Sequence, residues 1–169
     1  MGKAASGKSV LELATGPGLI AKHIAASCEK IIATDFSQDM INQAKKGENP
    51  QNLIFERADA SNLPYEDKSF DLVIIANALH IVPDPQKVLS EIDRVLRDGG
   101  ILIAPNFIER KIRKPNLWQK LLYALGVKFE HQWTADEYTD FIEEKGWKIT
   151  SKEVIPGRID LVYVECIRK

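Results

Sequence analysis

Short apolar runs alternate with helically spaced stretches up to Ala104, which restricts the chain to βαβ units on a mostly parallel sheet. Val10–Ala14 is an apolar run ending in a glycine-rich turn, which predicts a strand. Leu19, Ile20, His23, Ile24 and Ser27 then keep helical spacing as far as Cys28. Lys30–Thr34 reads as a second strand, and Ser37 caps a helix running through Lys46 with Met40, Ile41 and Ala44 inward. Leu53–Arg57 and Phe70–Ala76 are strands three and four; the unbroken apolar run of the latter suits burial on both faces. Asp84-Pro85 opens a helix, because Asp caps and Pro fits the first turn. Val88, Leu89, Ile92, Val95 and Leu96 form its apolar face, Gly99-Gly100 ends it, and Ile101–Ala104 is strand five.

Beyond residue 133 the rhythm changes. Thr134-Ala-Asp-Glu137 is a capping box for a helix closing at Gly146. Trp147–Ile155 and Ile159–Ile167 are extended runs joined by Pro156-Gly157, a link short enough only for an antiparallel pair. The expected architecture is a doubly wound α/β fold with seven strands, five parallel plus a C-terminal antiparallel hairpin. Residues 105–133 are the least regular, with a short amphipathic helix over Leu117–Leu125. The cluster Arg110, Lys111, Arg113 and Lys114 reads as a solvated loop or an anion-binding patch.

A length of 169 residues suits one domain over 1–169 with a sizeable core. Twenty-three basic against 24 acidic residues leave a net charge of -1, so electrostatics makes no case for nucleic acid. Cys28 and Cys166 form neither a disulfide framework nor a metal motif, which points to a reducing, cytoplasmic setting. No signal-peptide core is visible, and Leu72–Val82, interrupted by Asn77 and His80, is far short of the roughly 20 residues of a membrane span. No His, Cys and carboxylate set has metal-ligand spacing.

Two glycine signatures stand near the N-terminus. Gly2 to Ser9 matches the G-x-x-x-x-G-K-S phosphate loop by letter, but that loop needs a strand before it and a helix after it. Here no strand can precede it and a strand follows, so a flexible tail is expected. Gly16-Pro-Gly18-Leu-Ile-Ala21 has the right context: it follows a strand, opens a helix, and is followed by Asp35 at the end of strand two. By itself this fits a nicotinamide dinucleotide as well as other adenosine cofactors.

Five stretches in register separate the cofactors. They are Val10-Leu-Glu-Leu-Ala-Thr-Gly-Pro-Gly18, Ala33-Thr-Asp-Phe-Ser37 with Met40, and Arg57-Ala-Asp-Ala60 with Leu63-Pro64. Phe70-Asp-Leu-Val-Ile-Ile-Ala-Asn77-Ala-Leu-His80 and Glu91-Ile-Asp-Arg94 through Gly100 complete the set. In this order they resemble the motifs of class I S-adenosylmethionine-dependent methyltransferases, closest to the small-molecule, ubiquinone/menaquinone-biosynthesis type. The resemblance implies a Rossmann-like fold, S-adenosylmethionine as cofactor, and methyl transfer to a small-molecule acceptor by in-line displacement. The remaining readings are an NAD-dependent oxidoreductase and a non-catalytic cofactor-binding protein.

Gly16 and Gly18 leave no side chain between the turn and a ligand; in the resembled family this turn wraps the methionine and ribose portion. Glu12 is expected near the amino-acid end of the cofactor, or as a solvated strand end. Ala14 stands where the family usually has its first glycine, and its methyl is expected to crowd that end. Asp35 can accept hydrogen bonds from both ribose hydroxyls, the other reading being a cap for the helix beginning at Gln38, a role Ser37 already fills. Phe36 and Met40 are placed beside adenine, with core packing as the other reading of both. Asp59 would accept from the adenine amino group, or serve as a turn carboxylate, and the Ala60 amide would donate to a ring nitrogen. Asn77 ends strand four, where cofactor and acceptor would meet. His80 is a general base if the acceptor must lose a proton, or a packing residue of its loop. The resemblance asks for no obligatory catalytic side chain. The stretch 105–133, with Phe107, Trp118 and Tyr123, is the expected substrate-side insert. Only nine residues precede Val10, so the family's N-terminal lid helices are expected to be absent. Homo-oligomer formation is left open.

Overall fold

In the computed structural model, which describes residues 1–108 and 131–169, eight strands form one sheet. β1 (Ser9–Leu13), β2 (Lys30–Asp35), β3 (Leu53–Arg57), β4 (Phe70–Ile75) and β5 (Leu96–Ile103) are parallel in the order β3-β2-β1-β4-β5. β6 (Asn106–Ile108), β7 (Trp147–Ile155) and β8 (Asp160–Arg168) follow, with β8 antiparallel to β5, β6 and β7. The helices are α1 (Gly2–Ala5), α2 (Leu19–Ile24), α3 (Gln38–Ala44), α4 (Pro85–Val95) and α5 (Ala135–Glu144).

The apolar runs divide by alternation. Val10, Ile31, Ala33, Leu72 and Ile74 share a core with Ala21, Ile24, Ile41 and Ala44 of α2 and α3. Leu11, Leu13, Val73, Ile75 and Leu102 meet Val88, Leu89, Ile92, Tyr138 and Ile142 of α4 and α5 on the other face. Both faces are covered, so these strands read as continuous apolar runs. At the N-terminal edge the Asp71 carboxylate accepts from the Ser9 amide at 2.9 Å and from Arg97 at 2.6 Å, tying β1, β4 and β5 together.

Several boundaries depart from expectation. The helix α4 stops at Val95, four residues before Gly99, and Leu96 is already extended and paired with Phe70. The carbonyls of Arg94 and Val95 accept from the amides of Lys68 and Ser69 at 2.9 and 2.8 Å, so tertiary pairing ends the helix before the glycines do. Arg97–Gly100 bulge out, with Gly99 at φ 75. An eighth strand, β6, continues along β8 after Pro105. The hairpin turn is longer than Pro156-Gly157, because the last pair is Ile155 with Leu161 and the Asp160 carboxylate accepts from the Gly157 amide. At the N-terminus the order is helix then strand, the reverse of a phosphate loop; α1 is ordered, with Ala5 fully buried, rather than a tail.

Among the described residues no helix is long and apolar enough to cross a membrane, and no group of three or more His, Cys, Asp or Glu is placed to hold a metal. Most of the expected insert, with the Leu117–Leu125 helix, the basic cluster, Trp118 and Tyr123, lies outside the described residues.

Candidate functional site

Strand order reverses between β1 and β4, and in open α/β sheets ligands sit at the C-terminal edge beside that reversal. Glu12, Asp35, Asp59 and Asn77 all occupy that edge, at or just beyond the ends of β1, β2, β3 and β4. Asp59 is two residues past Arg57, which is paired with Asp35, and the Ala58 amide donates to the Asp35 carbonyl. The two carboxylates predicted to grip one adenosine therefore stand on neighbouring strand ends.

Glu12 is 2% exposed on the face of β1 that packs under α2, not a solvated strand end. Burial pushes its carboxyl up to about 7. Glu12 Oε2, Thr15 Oγ1 and Asn77 Oδ1 are buried without a hydrogen-bond partner among the described residues. Such atoms are costly to leave unpaired. Three of them at the reversal point form a polar lining suited to a zwitterionic amino-acid group, and the site fits the cofactor on that ground.

The glycine bend divides its labour unevenly. Gly16 has φ 55 and open space where a Cβ would stand, so a ligand can approach its backbone closely. Gly18 has a different task from the one expected. It is buried, and a Cβ there would lie 2.7 Å from the Phe55 ring and 3.2 Å from Ala44. Its smallness lets the start of α2 pack on β3 and α3. With φ 79 added to the clash, Gly18→Ala is expected to lose about 2–5 kcal/mol of stability in a denaturant melt.

Ala14 also lies in the left-handed region, at φ 53, and is exposed. The conformation, rather than a lack of room, is what favours glycine here. Ala14→Gly is expected to raise stability by up to about 1 kcal/mol with no loss of ligand affinity; thermal melts with and without ligand check it.

Asp35 is built into the bend. Its Oδ2 accepts from the Gly16 amide at 2.9 Å and its Oδ1 from the Ser37 amide at 2.8 Å. Ser37 in turn caps α3 through Met40. Phe36 is 66% exposed, which rules out core packing; the Arg57 guanidinium lies 5.4 Å from its ring centroid. Met40 is half-buried in the first turn of α3. The Asp59 Oδ1 accepts from the Ser61 amide and hydroxyl, both at 2.8 Å, closing the turn that carries Ala60. Behind that turn, Glu91 and Arg94 on α4 form a brace. The Leu63 amide donates to Glu91 at 2.8 Å, and Arg94 donates to the Leu63 and Tyr65 carbonyls. The motif Glu91-Ile-Asp-Arg94 thus holds the Asp59 turn from behind.

Asn77 sits at φ 53, its amide donating to the Pro105 carbonyl at 2.8 Å. Three residues on, His80 is 4% exposed and its Nδ1 lies 2.9 Å from Asn106 Oδ1. Burial holds the imidazole below the ordinary histidine range, against the opposing effect of Asn106. Phe107 stands edge-on to His80, and the His131 amide donates to the His80 carbonyl. His131 stacks on Trp133, which stacks on Phe141. Sequence reasoning missed Thr15, a variable position of its motif, and Asn106. The only signal for Asn106 was an amide just past the end of strand five.

The sheet order and the polar edge of β1–β4 define the class I S-adenosylmethionine-dependent methyltransferases. The chain belongs to the methyltransferase domain family, whose profile matches residues 11–104. A demethylmenaquinone methyltransferase of Clavibacter sepedonicus is 37% identical over 103 residues, covering 60% of this chain and 42% of that protein. The chain spans about a third to a half of the length of the curated relatives it matches. A putative methyltransferase of Bacillus halodurans superposes with a TM-score of 0.78 at 19% identity, covering 97% of this chain and 94% of that one. The [4+2]-cyclase SpnF superposes with a TM-score of 0.80 at 17% identity, covering 96% and 76%. The last two likenesses concern fold alone.

Proposed function

We propose that this chain binds S-adenosylmethionine along the C-terminal edge of β1–β4 and methylates a small, planar, apolar acceptor bearing an ionisable hydroxyl, as in a hydroquinone. The observation that carries the cofactor assignment is the set of unpartnered buried atoms on Glu12, Thr15 and Asn77 beside the open Gly16 bend. Glu12 would face the amino-acid end, Asp35 the ribose, and Asp59 with Ala60 the adenine, with Phe36 and Met40 flanking the ring. When bound, the cofactor supplies a methyl on a positively charged sulfur, activated for in-line displacement.

The chain contributes binding, alignment and a proton acceptor. Holding the reactants in a near-attack pose can supply about 7–11 kcal/mol of the barrier. His80, neutral in its buried site, takes the hydroxyl proton as the acceptor oxygen gains nucleophilic character. Phe107 and Trp133, near His80 and His131, supply apolar walls for a flat acceptor. The relative named a demethylmenaquinone methyltransferase supports a flat ring as the acceptor.

Calorimetric titration with S-adenosylhomocysteine is expected to show saturable binding that excess NAD does not displace. A folded protein that fails to bind at millimolar ligand would sink the assignment. The second arm measures methyl transfer to 1,4-dihydroxynaphthalene. Tight cofactor binding without transfer to this or any panel phenol would make the chain a cofactor-binding protein; the cyclase of the same fold shows that such folds serve other chemistry.

A further inference from the structure

We infer that Glu91 and Arg94 are positioning residues for the adenine end of the site: from the last turns of α4 they fix the turn carrying Asp59 and Ala60, and so set how well the protein tells adenine from a purine without its amino group. The inference rests on the reading of Asp59 as the acceptor for that amino group, and its experiment separates the two.

The turn is one small unit. The Asn62 amide donates to the Asp59 carbonyl at 3.0 Å, and the Ser61 amide and hydroxyl both donate to Asp59 Oδ1 at 2.8 Å. Bonds inside a turn fix its shape but not its place, so its place depends on what holds its two ends. On the strand side the Ala58 amide donates to the Asp35 carbonyl at 3.2 Å. On the other side the hold is at Leu63, whose side chain is buried. The Leu63 amide donates to Glu91 Oε2 at 2.8 Å, and its carbonyl accepts from Arg94 Nη2 at 3.0 Å. Both backbone groups of the residue that follows the turn are thus satisfied by one pair of side chains. Without the guanidinium, a part-buried carbonyl loses its partner and the turn keeps only its strand-side anchor.

The pair itself is stiff. Glu91 and Arg94 stand three residues apart on α4, and the guanidinium grips the carboxylate through Nε and Nη2 at 3.0 and 2.8 Å. That contact holds the Glu91 carboxyl below the usual carboxylate range, so it remains an acceptor at neutral pH. Arg94 Nη1 donates to the Tyr65 carbonyl at 2.7 Å and to Asp67 at 2.9 Å, and the Arg94 carbonyl accepts from the Lys68 amide at 2.9 Å. One arginine therefore holds the chain at residues 63, 65, 67 and 68. A lysine lacks the planar fork that meets these acceptors together. Arg94 lies two residues before β5 begins at Leu96, toward the strand starts, whereas the site lies at the strand ends. Its effect on a ligand runs through the turn.

Calorimetry with S-adenosylhomocysteine and with S-inosylhomocysteine, which carries an oxygen in place of the adenine amino group, tests this at neutral pH and below the melting temperature of each protein. Wild type is expected to prefer S-adenosylhomocysteine at least about tenfold. Arg94→Met and Arg94→Lys are expected to bind S-adenosylhomocysteine about tenfold more weakly and S-inosylhomocysteine as well as wild type does, so that the preference falls toward one. Glu91→Gln, which keeps an oxygen for the Leu63 amide, is expected to retain most of it. Equal losses for the two ligands would mark a merely structural role and overturn the inference, as would a wild-type preference that survives in both arginine variants. If Arg94→Met does not fold, Arg94→Lys decides, since it keeps the charge and the alkyl stem. A wild type without any preference overturns the Asp59 reading and the inference with it; a wild type with the preference and arginine variants that share it overturn the inference alone.

Discussion

Glu12→Gln is expected to stabilise the ligand-free protein by about 3 kcal/mol at pH 8 and, at the same time, to weaken S-adenosylhomocysteine binding. The stability arm follows from linkage. The carboxyl is raised from 4.5 in the unfolded chain to about 7 in the folded one, so the folded protein binds the extra proton. That contribution is complete below pH 4.5, declines as the pH rises, and is gone once it passes about 7. Glutamine stays neutral throughout, so its advantage grows across the same window and the variant loses that part of the pH slope. The binding arm follows from charge: an ammonium near Glu12 favours the ionised form, which glutamine cannot supply. Denaturant melts from pH 4.5 to 8 and calorimetry at pH 8 check the two arms. Equal stability and equal affinity in both proteins would remove Glu12 from the site.

Asp35 should behave in the opposite way, losing stability and affinity together. Asp35→Ala removes the acceptor for the Gly16 and Ser37 amides, and hydrogen bonds to a charged group contribute about 1.5–3 kcal/mol each. A loss of about 2–4 kcal/mol is expected, since the site is partly open to water. Asp35→Asn keeps one acceptor and turns an amide donor toward the other N–H, so its loss should be roughly half as large. Both variants are expected to bind S-adenosylhomocysteine at least about tenfold more weakly, read at a temperature where each is folded. An asparagine variant with wild-type affinity would mean that the carboxylate serves only to hold the bend.

Much of this site was legible because its residues follow strand ends, and strand ends are marked by where apolar runs stop. Asp35, Asp59 and Asn77 each stand just where such a run gives way, and the glycine bend is marked by its own letters. Other roles were not legible at all. Gly18 reads as a ligand-facing glycine until the Phe55 ring, 37 positions later, is found against it. Ala14 reads as a crowding methyl until its backbone is found at φ 53. The early end of α4 depended on amides from Lys68 and Ser69, which no local window contains.

By itself the sequence determined the alternation of elements, the antiparallel C-terminal pair and the identity of the residues along one sheet edge. These are local properties: period, caps and turn chemistry act within a few residues. Only the tertiary structure decided which polar atoms are buried without partners, how Glu91 and Arg94 brace the Asp59 turn, and that Asn106 meets His80. Burial and long-range hydrogen bonding depend on every element packed around an atom, and that environment exists only once the chain has folded.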